Sequence, residues 1–506
     1  VVNRLYDFWS LLHNGKTKDP LRFFVIFRKH FSMSNAESIR CDVAIIGGGI
    51  SGMVAAVRVA QGGRHVVVFE KSPDDRYLCN SRITAGIWHC CLTDVLSDPV
   101  LLEQRIMEVT GNNARPDVAK AVARDGLRAV RWMQAAGIRF IKGPYDYQSF
   151  MLSPPTITPQ GRQWEGRGGD VMLRTLEAEL VRKGGKLLRG YRATKLLKSE
   201  GAVCGFEGED GGGRPFRVAS SAVVIADGGF QANDQLTRGP ISSQPQHLFQ
   251  RNARSGMGDG MTMAVEAGAA MSDLRGFYGH VLSKDAFGND KLWPYNWLDY
   301  ILAAGIVVGA DGKRFSDEGL GGVDMANAIA ASENPSDKVV IADSRIWEER
   351  GSFGLLPPNP RLLDAGATVY KADSLEELAR QCGVDPAALS AEVRRYNAAL
   401  ASGELGELRP TRTSAKFQPY AIERAPFMAF PACAGITYTM GGISINADAQ
   451  VLTASEDPIP GLYAVGCASG GLEGGEKKGY VGGLVKSSVT GLRAAEHILN
   501  ESTALA

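Results

Sequence analysis

Gly47, Gly49 and Gly52 stand in the order G-x-G-x-x-G directly after four apolar residues, Val43 to Ile46. Glycine at the first position permits a tight turn. At the second it lets a pyrophosphate approach the backbone, and at the third it lets a helix close on a strand. Ile50 and Ser51 open the helix that follows, and its first N–H groups and positive dipole end favour phosphate. A second apolar run, His65 to Phe69, ends in Glu70, which is followed by Lys71. An acid in that place accepts a hydrogen bond from a ribose hydroxyl. Strand, glycine turn, helix, strand and acid in one short unit specify a dinucleotide site.

Later segments separate the dinucleotides. Residues 79–86 contain Asn80, Ser81, Ala85 and Gly86. A buried strand at 222–225 runs into Ala226 and Gly228, and a glycine turn with Asp259 opens a helix. A strand near 462 reaches Gly466, a glycine-rich loop spans 469–475, and a helix starts near Gly483 and Leu484. In this order the segments resemble the FAD-dependent fumarate reductase, succinate dehydrogenase and 3-ketosteroid dehydrogenase superfamily over about residues 40–500. The run Lys478 to Gly483 looks most like tricarballylate dehydrogenase-type members, and ketosteroid dehydrogenases also carry a Tyr followed by small residues here. The resemblance implies FAD between a FAD domain and an inserted cap. It implies hydride transfer between flavin N5 and a carbon β to a carbonyl or carboxylate, with a protic residue handling the α proton. The expected FAD contacts are Gly47, Gly49, Ile50, Ser51, Gly52, Glu70, Lys71, Asn80, Ser81, Ala85, Gly86, Ala226, Gly228, Asp259, Gly466, Gly483 and Leu484.

Four departures shape what carries over. Arg82 stands where succinate dehydrogenase-like members have the His that bonds FAD, so non-covalent FAD is expected. Tyr438 stands where fumarate reductases have a His before Thr-Met-Gly-Gly. No Arg follows Arg314 to Glu318, which removes the fumarate reductase acid. Cys467 also replaces a Glu that usually contacts FAD.

Another proton carrier is therefore needed, and Tyr480 is the first candidate. The nearby helix N-terminus could stabilise its phenolate or help it hold a substrate carbonyl. Lys477 and Lys478 could assist or bind a carboxylate; Tyr438, Lys478 and Gly482 are the expected substrate contacts. A second cluster, Tyr278, His280, Trp293, Tyr295, Trp297 and Tyr300, falls within a short stretch of the cap. From it His280, Tyr295 and Tyr300 are candidate proton carriers. Arg251 and Arg254, just before the glycine turn at 256–260, read as surface residues, with contact to an anionic substrate as the alternative.

The elements that must position these groups form an α/β fold: a discontinuous Rossmann-like FAD-binding domain, 39–275 and 434–506, with an inserted α+β cap, 276–433. The cap should hold a strand near 306–308, a Pro-rich loop at 356–360, and helices around 374–403 opened by Ser374. Residues 1–38, with no Met before Met33, read as an upstream extension, or alternatively as a targeting segment.

Composition narrows the class. Glycine contributes 60 of 506 residues, above the usual ~7%. The net charge of +1 argues against a nucleic-acid binder. Eight cysteines without C-x-x-C spacing argue against a disulfide scaffold, a haem attachment site or an iron–sulfur module. Neither a zinc site nor a serine hydrolase elbow fits. No transmembrane segment is read, and the cytoplasm is the default compartment. The leading expectation is an FAD-dependent dehydrogenase that introduces a C=C bond α,β to a ketone or carboxylate. It would pass electrons to a quinone, a partner protein or oxygen. The alternatives are the reverse enone or enoate reductase, and a non-catalytic electron-transfer flavoprotein.

Overall fold

The computed structural model describes residues 37–158, 161–293, 295–354 and 357–504. The readings of the N-terminal stretch fall almost wholly on residues 1–36, outside the described residues.

Val43–Ile46 is buried throughout and lies inside a six-stranded sheet. Val66–Glu70 and Ala222–Ile225 flank it in parallel. Lys186–Arg189 extends one side in parallel, and Pro458–Ala464 the other. Gln450–Leu452 closes that edge antiparallel. The near-continuous apolar runs of these strands are what parallel strands buried on both faces require. Helix Ile50–Gln61 makes the crossover from the first strand to the second, and the C-terminal helix Gly483–Ala504 packs against it. A four-stranded sheet, Glu37–Arg40, Pro215–Ala219, Ala202–Asp210 and Tyr191–Ser199, sits beside Phe69. Phe206 and Phe216 pack on that ring at 5.0 and 6.0 Å between centroids.

The third sheet is built around one long strand, Phe427–Thr439. Val339–Asp343 and Tyr370–Ala372 pair with its first half. Phe277–Ser283 and Phe249–Gln250 pair with its second half. The boundary expected between 433 and 434 thus falls inside a continuous strand. This strand matters for function, because its end carries Thr437 and Tyr438 to the wall of a cavity.

Most expected elements are present: strand Ile306–Val308 and helices Asp259–Glu266, Leu375–Cys382 and Pro386–Ser402. Ser374 Oγ accepts the Glu377 N–H at 3.3 Å, the cap read from the sequence. The Pro-rich stretch differs. Its described part leads into a short helix assigned over Pro358–Asp364, but Asn359 there is non-helical at φ −93° and ψ 120°, so regular helix begins only at Pro360. Proline is tolerated there because the first helical N–H has no partner inside the helix. No helix among the described residues is long and apolar enough to cross a membrane.

Candidate active site

The glycine turn walls a cavity shared with Glu70, Lys71, Asn80, Ser81, Ala226, Asp227 and Gly228. Gly47 has φ +108°, and a Cβ there would lie 2.5 Å from the Ala226 carbonyl oxygen. A Cβ on Gly52 would lie 2.1 Å from the Gly47 carbonyl oxygen. The protein itself demands glycine at both positions. Gly49 is different: its φ is −69°, and a Cβ would meet only Ser81 Oγ at 3.5 Å. Its open side is space kept for something other than protein, as close phosphate approach requires.

The surrounding side chains hold this cradle in shape. Ser81 Oγ accepts the Ile50 N–H at 2.9 Å. Glu70 accepts the Gly48 and Ser72 N–H groups, each at 3.0 Å. Lys71 Nζ donates to the Ser255 carbonyl at 2.7 Å and to Asp259 at 3.3 Å, and Arg192 reaches the same Asp259 at 2.6 Å. Asn80 donates to the Thr437 carbonyl and accepts from the Ala253 N–H, both at 2.9 Å. Asp227 accepts the Gly260 N–H at 2.7 Å, while its buried Oδ1 has no partner. Burial pushes the pKa of Asp227 up to about 6. An exposed helix start, an acid beyond the second strand and an unsatisfied buried oxygen fit a dinucleotide with hydroxyl donors.

A second cavity of about 260 Å³ adjoins the first and shares the walls Ile50, Asn80, Ser81, Cys467 and Ser487. Ala85, Gly86, Gly483 and Leu484 also line it. So do Tyr278, Tyr438, Tyr480, His89 and Arg251. The rings of Tyr278 and Tyr480 stack there, 4.0 Å apart and 14° from parallel.

Behind Tyr278 lies a chain of hydrogen bonds. Tyr278 and His280 are two apart on one strand, so their side chains share a face. His280 Nε2 is 3.0 Å from the Tyr278 hydroxyl, and Nδ1 is 2.6 Å from Asp299 Oδ2. Desolvation holds the His280 pKa below the ordinary value, partly offset by Asp299. In the neutral ring, Nδ1–H donates to the carboxylate, which leaves Nε2 to accept the Tyr278 O–H. Asp299 Oδ1 accepts the Val281 N–H at 3.0 Å, fixing the acid.

Tyr480 has a different histidine. His89 is buried, and desolvation pushes its pKa down to about 4. Its Nδ1 accepts the Leu92 N–H at 3.2 Å. The ring proton of neutral His89 must therefore sit on Nε2, 3.3 Å from the Tyr480 hydroxyl oxygen. The Gly483 N–H is directed at the same oxygen. With its oxygen receiving, Tyr480 sends its own hydrogen toward Tyr278 and the cavity. Burial, Tyr278 and Glu473 hold the pKa of Tyr480 well above the usual phenol value. Burial also raises Tyr278, but Arg251 and the hydrogen bond from Tyr480 pull it back. Tyr278 is therefore the phenol that gives up its proton more readily, and Tyr480 the one that keeps it.

The structure places the other expected residues as follows. A phenolate at Tyr480 is disfavoured, for the reasons just given. Lys478 lies outside the cavity, against Gly276, and Lys477 donates outward to the Glu108 carbonyl at 3.4 Å. Gly482 lies outside it too; a Cβ there would meet the His89 carbonyl at 2.5 Å, so its role is close packing. Gly466 donates its N–H to Thr490 Oγ1 at 2.9 Å, and a Cβ there would lie 2.5 Å from Ser51 Oγ. Tyr438 lines the cavity with its ring, but its hydroxyl donates to Glu473 at 3.0 Å. Tyr295 is buried and stacked on Trp297 at 4.7 Å, and Tyr300 packs edge-on to Phe353 at 5.8 Å; neither lines the cavity. Arg251, read as a surface residue, lines it. Of the aromatic cluster, Tyr278 and Trp293 line the cavity, with His280 directly behind Tyr278. Arg82, at the position of the covalent His, is buried in an ion pair with Asp170. The Tyr-x-His alternation on one strand was the available signal for Tyr278. His89, Asp299 and Glu473 had none, because their partners are distant in sequence.

Residues 42–480 match the family described as FAD binding domain. The chain belongs to that family. It is an FAD-dependent oxidoreductase. It is 25% identical to a fumarate reductase (cytochrome) from Shewanella frigidimarina, over 88% of this chain and 75% of that protein. It is 31% identical to 4-oxocyclohex-2-ene-1-carboxylate 5-dehydrogenase from Sinomonas cyclohexanicum, over 63% of this chain and 58% of that one. Its fold resembles 3-ketosteroid Δ1-dehydrogenase from Sterolibacterium denitrificans, with a TM-score of 0.71 and 21% identity, covering 91% of this chain and all of that one. The glycine cradle and its Asp227 fit FAD as the resident group.

Proposed function

We propose that this flavoprotein is a dehydrogenase that introduces a C=C bond α,β to a ketone. The chemistry that FAD supplies, when non-covalently bound, is acceptance of a hydride from the β carbon. The protein's own residues handle the rest. Tyr480 keeps its proton and donates a hydrogen bond to the substrate carbonyl oxygen, so that charge growing on that oxygen is stabilised. Tyr278 takes the α proton as its own hydroxyl proton moves to His280 Nε2. Asp299 holds the imidazole in the accepting tautomer and balances its positive charge, the role an acid plays behind a catalytic histidine. The half-buried aromatic walls exclude water from the exchange.

The observation that carries this reading is the chain Asp299–His280–Tyr278, ending in the cavity beside Tyr480. An electron-transfer flavoprotein has no use for a proton acceptor backed in this way. The test is the visible spectrum of the anaerobic holoprotein while saturated ketones are added one at a time. Bleaching of the flavin band by a ketone, abolished in Tyr278→Phe, supports the proposal. A flavin that no saturated ketone reduces, but that is reoxidised by an enone after chemical reduction, reverses the direction.

A further inference from the structure

Arg251 follows the short strand Phe249–Gln250, which pairs in parallel with Gly435 and Ile436. Its N–H donates to the Ile436 carbonyl and its Nη1 to Thr437 Oγ1, both at 2.9 Å. The next residue adds a clamp, with the Asn252 amide donating to the same Ile436 carbonyl at 2.9 Å. The base of the side chain and its guanidinium are thus both tied to one strand. Arg251 lines the cavity that holds Tyr278 and Tyr480.

Asp299, behind His280 and Tyr278, acts on Arg251 electrostatically, but it is not part of the wall. Among the described residues lining the cavity there is no Asp, Glu or Lys. His89 is neutral at pH 7, since its pKa is pushed down to about 4. Arginine stays charged even where burial disfavours it. A cavity with one guanidinium and no acid in its wall favours an anion. The planar fork of a guanidinium matches a carboxylate with two parallel hydrogen bonds. The tyrosines beside it address a neutral carbonyl. Tyr147 and Trp293, on the same wall, suit a ring.

We infer that the substrate is a compact cyclic ketone bearing a carboxylate, and that Arg251 holds the carboxylate while Tyr480 holds the ketone oxygen. This rests on the reading of the cavity as a ketone site. The test uses two probes, phenol and 4-hydroxybenzoate, titrated into the holoprotein. Binding is followed by the flavin difference spectrum and by calorimetry. The wild type is expected to bind 4-hydroxybenzoate more tightly than phenol. Arg251→Gln is expected to weaken 4-hydroxybenzoate at least about tenfold while phenol stays within about twofold. Arg251→Lys, which keeps charge but loses the fork, should recover part of the loss, and it carries the test if Arg251→Gln does not fold. Equal weakening of both probes, or of neither, overturns the assignment. Because binding needs no turnover, the outcome is separate from the dehydrogenase reading. A flavin that no ketone bleaches sinks that reading and leaves an Arg251-dependent 4-hydroxybenzoate site intact.

Discussion

Tyr278 and Tyr480 stack ring on ring at 4.0 Å, yet each hydroxyl answers to its own histidine, His280 or His89. One histidine accepts and the other donates, so two like phenols receive opposite tasks. Replacing either with phenylalanine keeps the stack and removes one task. Tyr278→Phe should slow flavin reduction by saturating ketone by roughly 100-fold to 10,000-fold, the usual worth of a positioned base. Tyr480→Phe should lower kcat by a comparable roughly 100-fold to 1,000-fold, the loss of a carbonyl-stabilising donor. Anaerobic stopped-flow absorbance measures both; an unchanged rate in Tyr278→Phe would refute its role as base.

Asp299 acts on the reaction only through His280. Asp299→Asn retains an acceptor for the Val281 N–H, so the fold should stand. Its rate should fall by roughly 100-fold or more, because the amide no longer selects the accepting tautomer. The carboxylate also raises the His280 pKa. Its removal should therefore move the acid limb of the pH–rate profile to lower pH, a shift that simple loss of structure does not produce.

In the intact enzyme, His280 must be neutral to receive a proton, and its pKa lies below the ordinary value. The kcat profile should stay flat as pH falls through about 6.5, the value for a free histidine, and decline only in more acidic solution. A profile that already halves near pH 6.5 would place an unperturbed group in control.

His89 gives a stability prediction with the same direction. Its folded pKa of about 4 lies below the unfolded value near 6.5. Between these values the unfolded chain binds more protons. The stability gained by keeping the ring neutral is therefore fully present above about pH 6.5 and lost as pH falls toward 4, by up to roughly 3 kcal/mol. Urea denaturation of the holoprotein across that range should show a shallower slope for His89→Gln.

The glycines of the cradle separate folding from binding. Gly49→Ala meets only Ser81 Oγ at 3.5 Å, so thermal stability of the apoprotein should change little. Its FAD affinity should fall at least about tenfold, since the methyl fills the space for phosphate. Gly52→Ala drives a Cβ to 2.1 Å from the Gly47 carbonyl and should destabilise the apoprotein itself. Flavin fluorescence on dilution and apoprotein melting distinguish the two.

The FAD cradle was legible in the sequence because it is local. Gly47 to Gly52 and Glu70 lie within one strand–helix–strand unit, where backbone geometry dictates residue type at fixed spacing. The helix cap at Ser374 was legible for the same reason. The proton chain was half legible: Tyr278 and His280 share a strand face, and alternation shows that without a structure.

What the sequence determined by itself is the FAD cofactor, the α/β class and the glycine-rich strand–helix–strand unit. Which aromatics reach the cavity was decided by the tertiary structure alone. The long strand Phe427–Thr439 pairs Tyr278 with Tyr438 across the sheet, and the loop before the last helix brings in Tyr480 from far along the chain. Tyr295 and Tyr300 sit nearby in sequence yet turn into other packing. Asp299, His89 and Arg251 acquire meaning only through partners distant in sequence. Local spacing encodes backbone conformation, whereas proton-transfer and charge-pairing geometry is set by long-range register and packing, which no short motif contains.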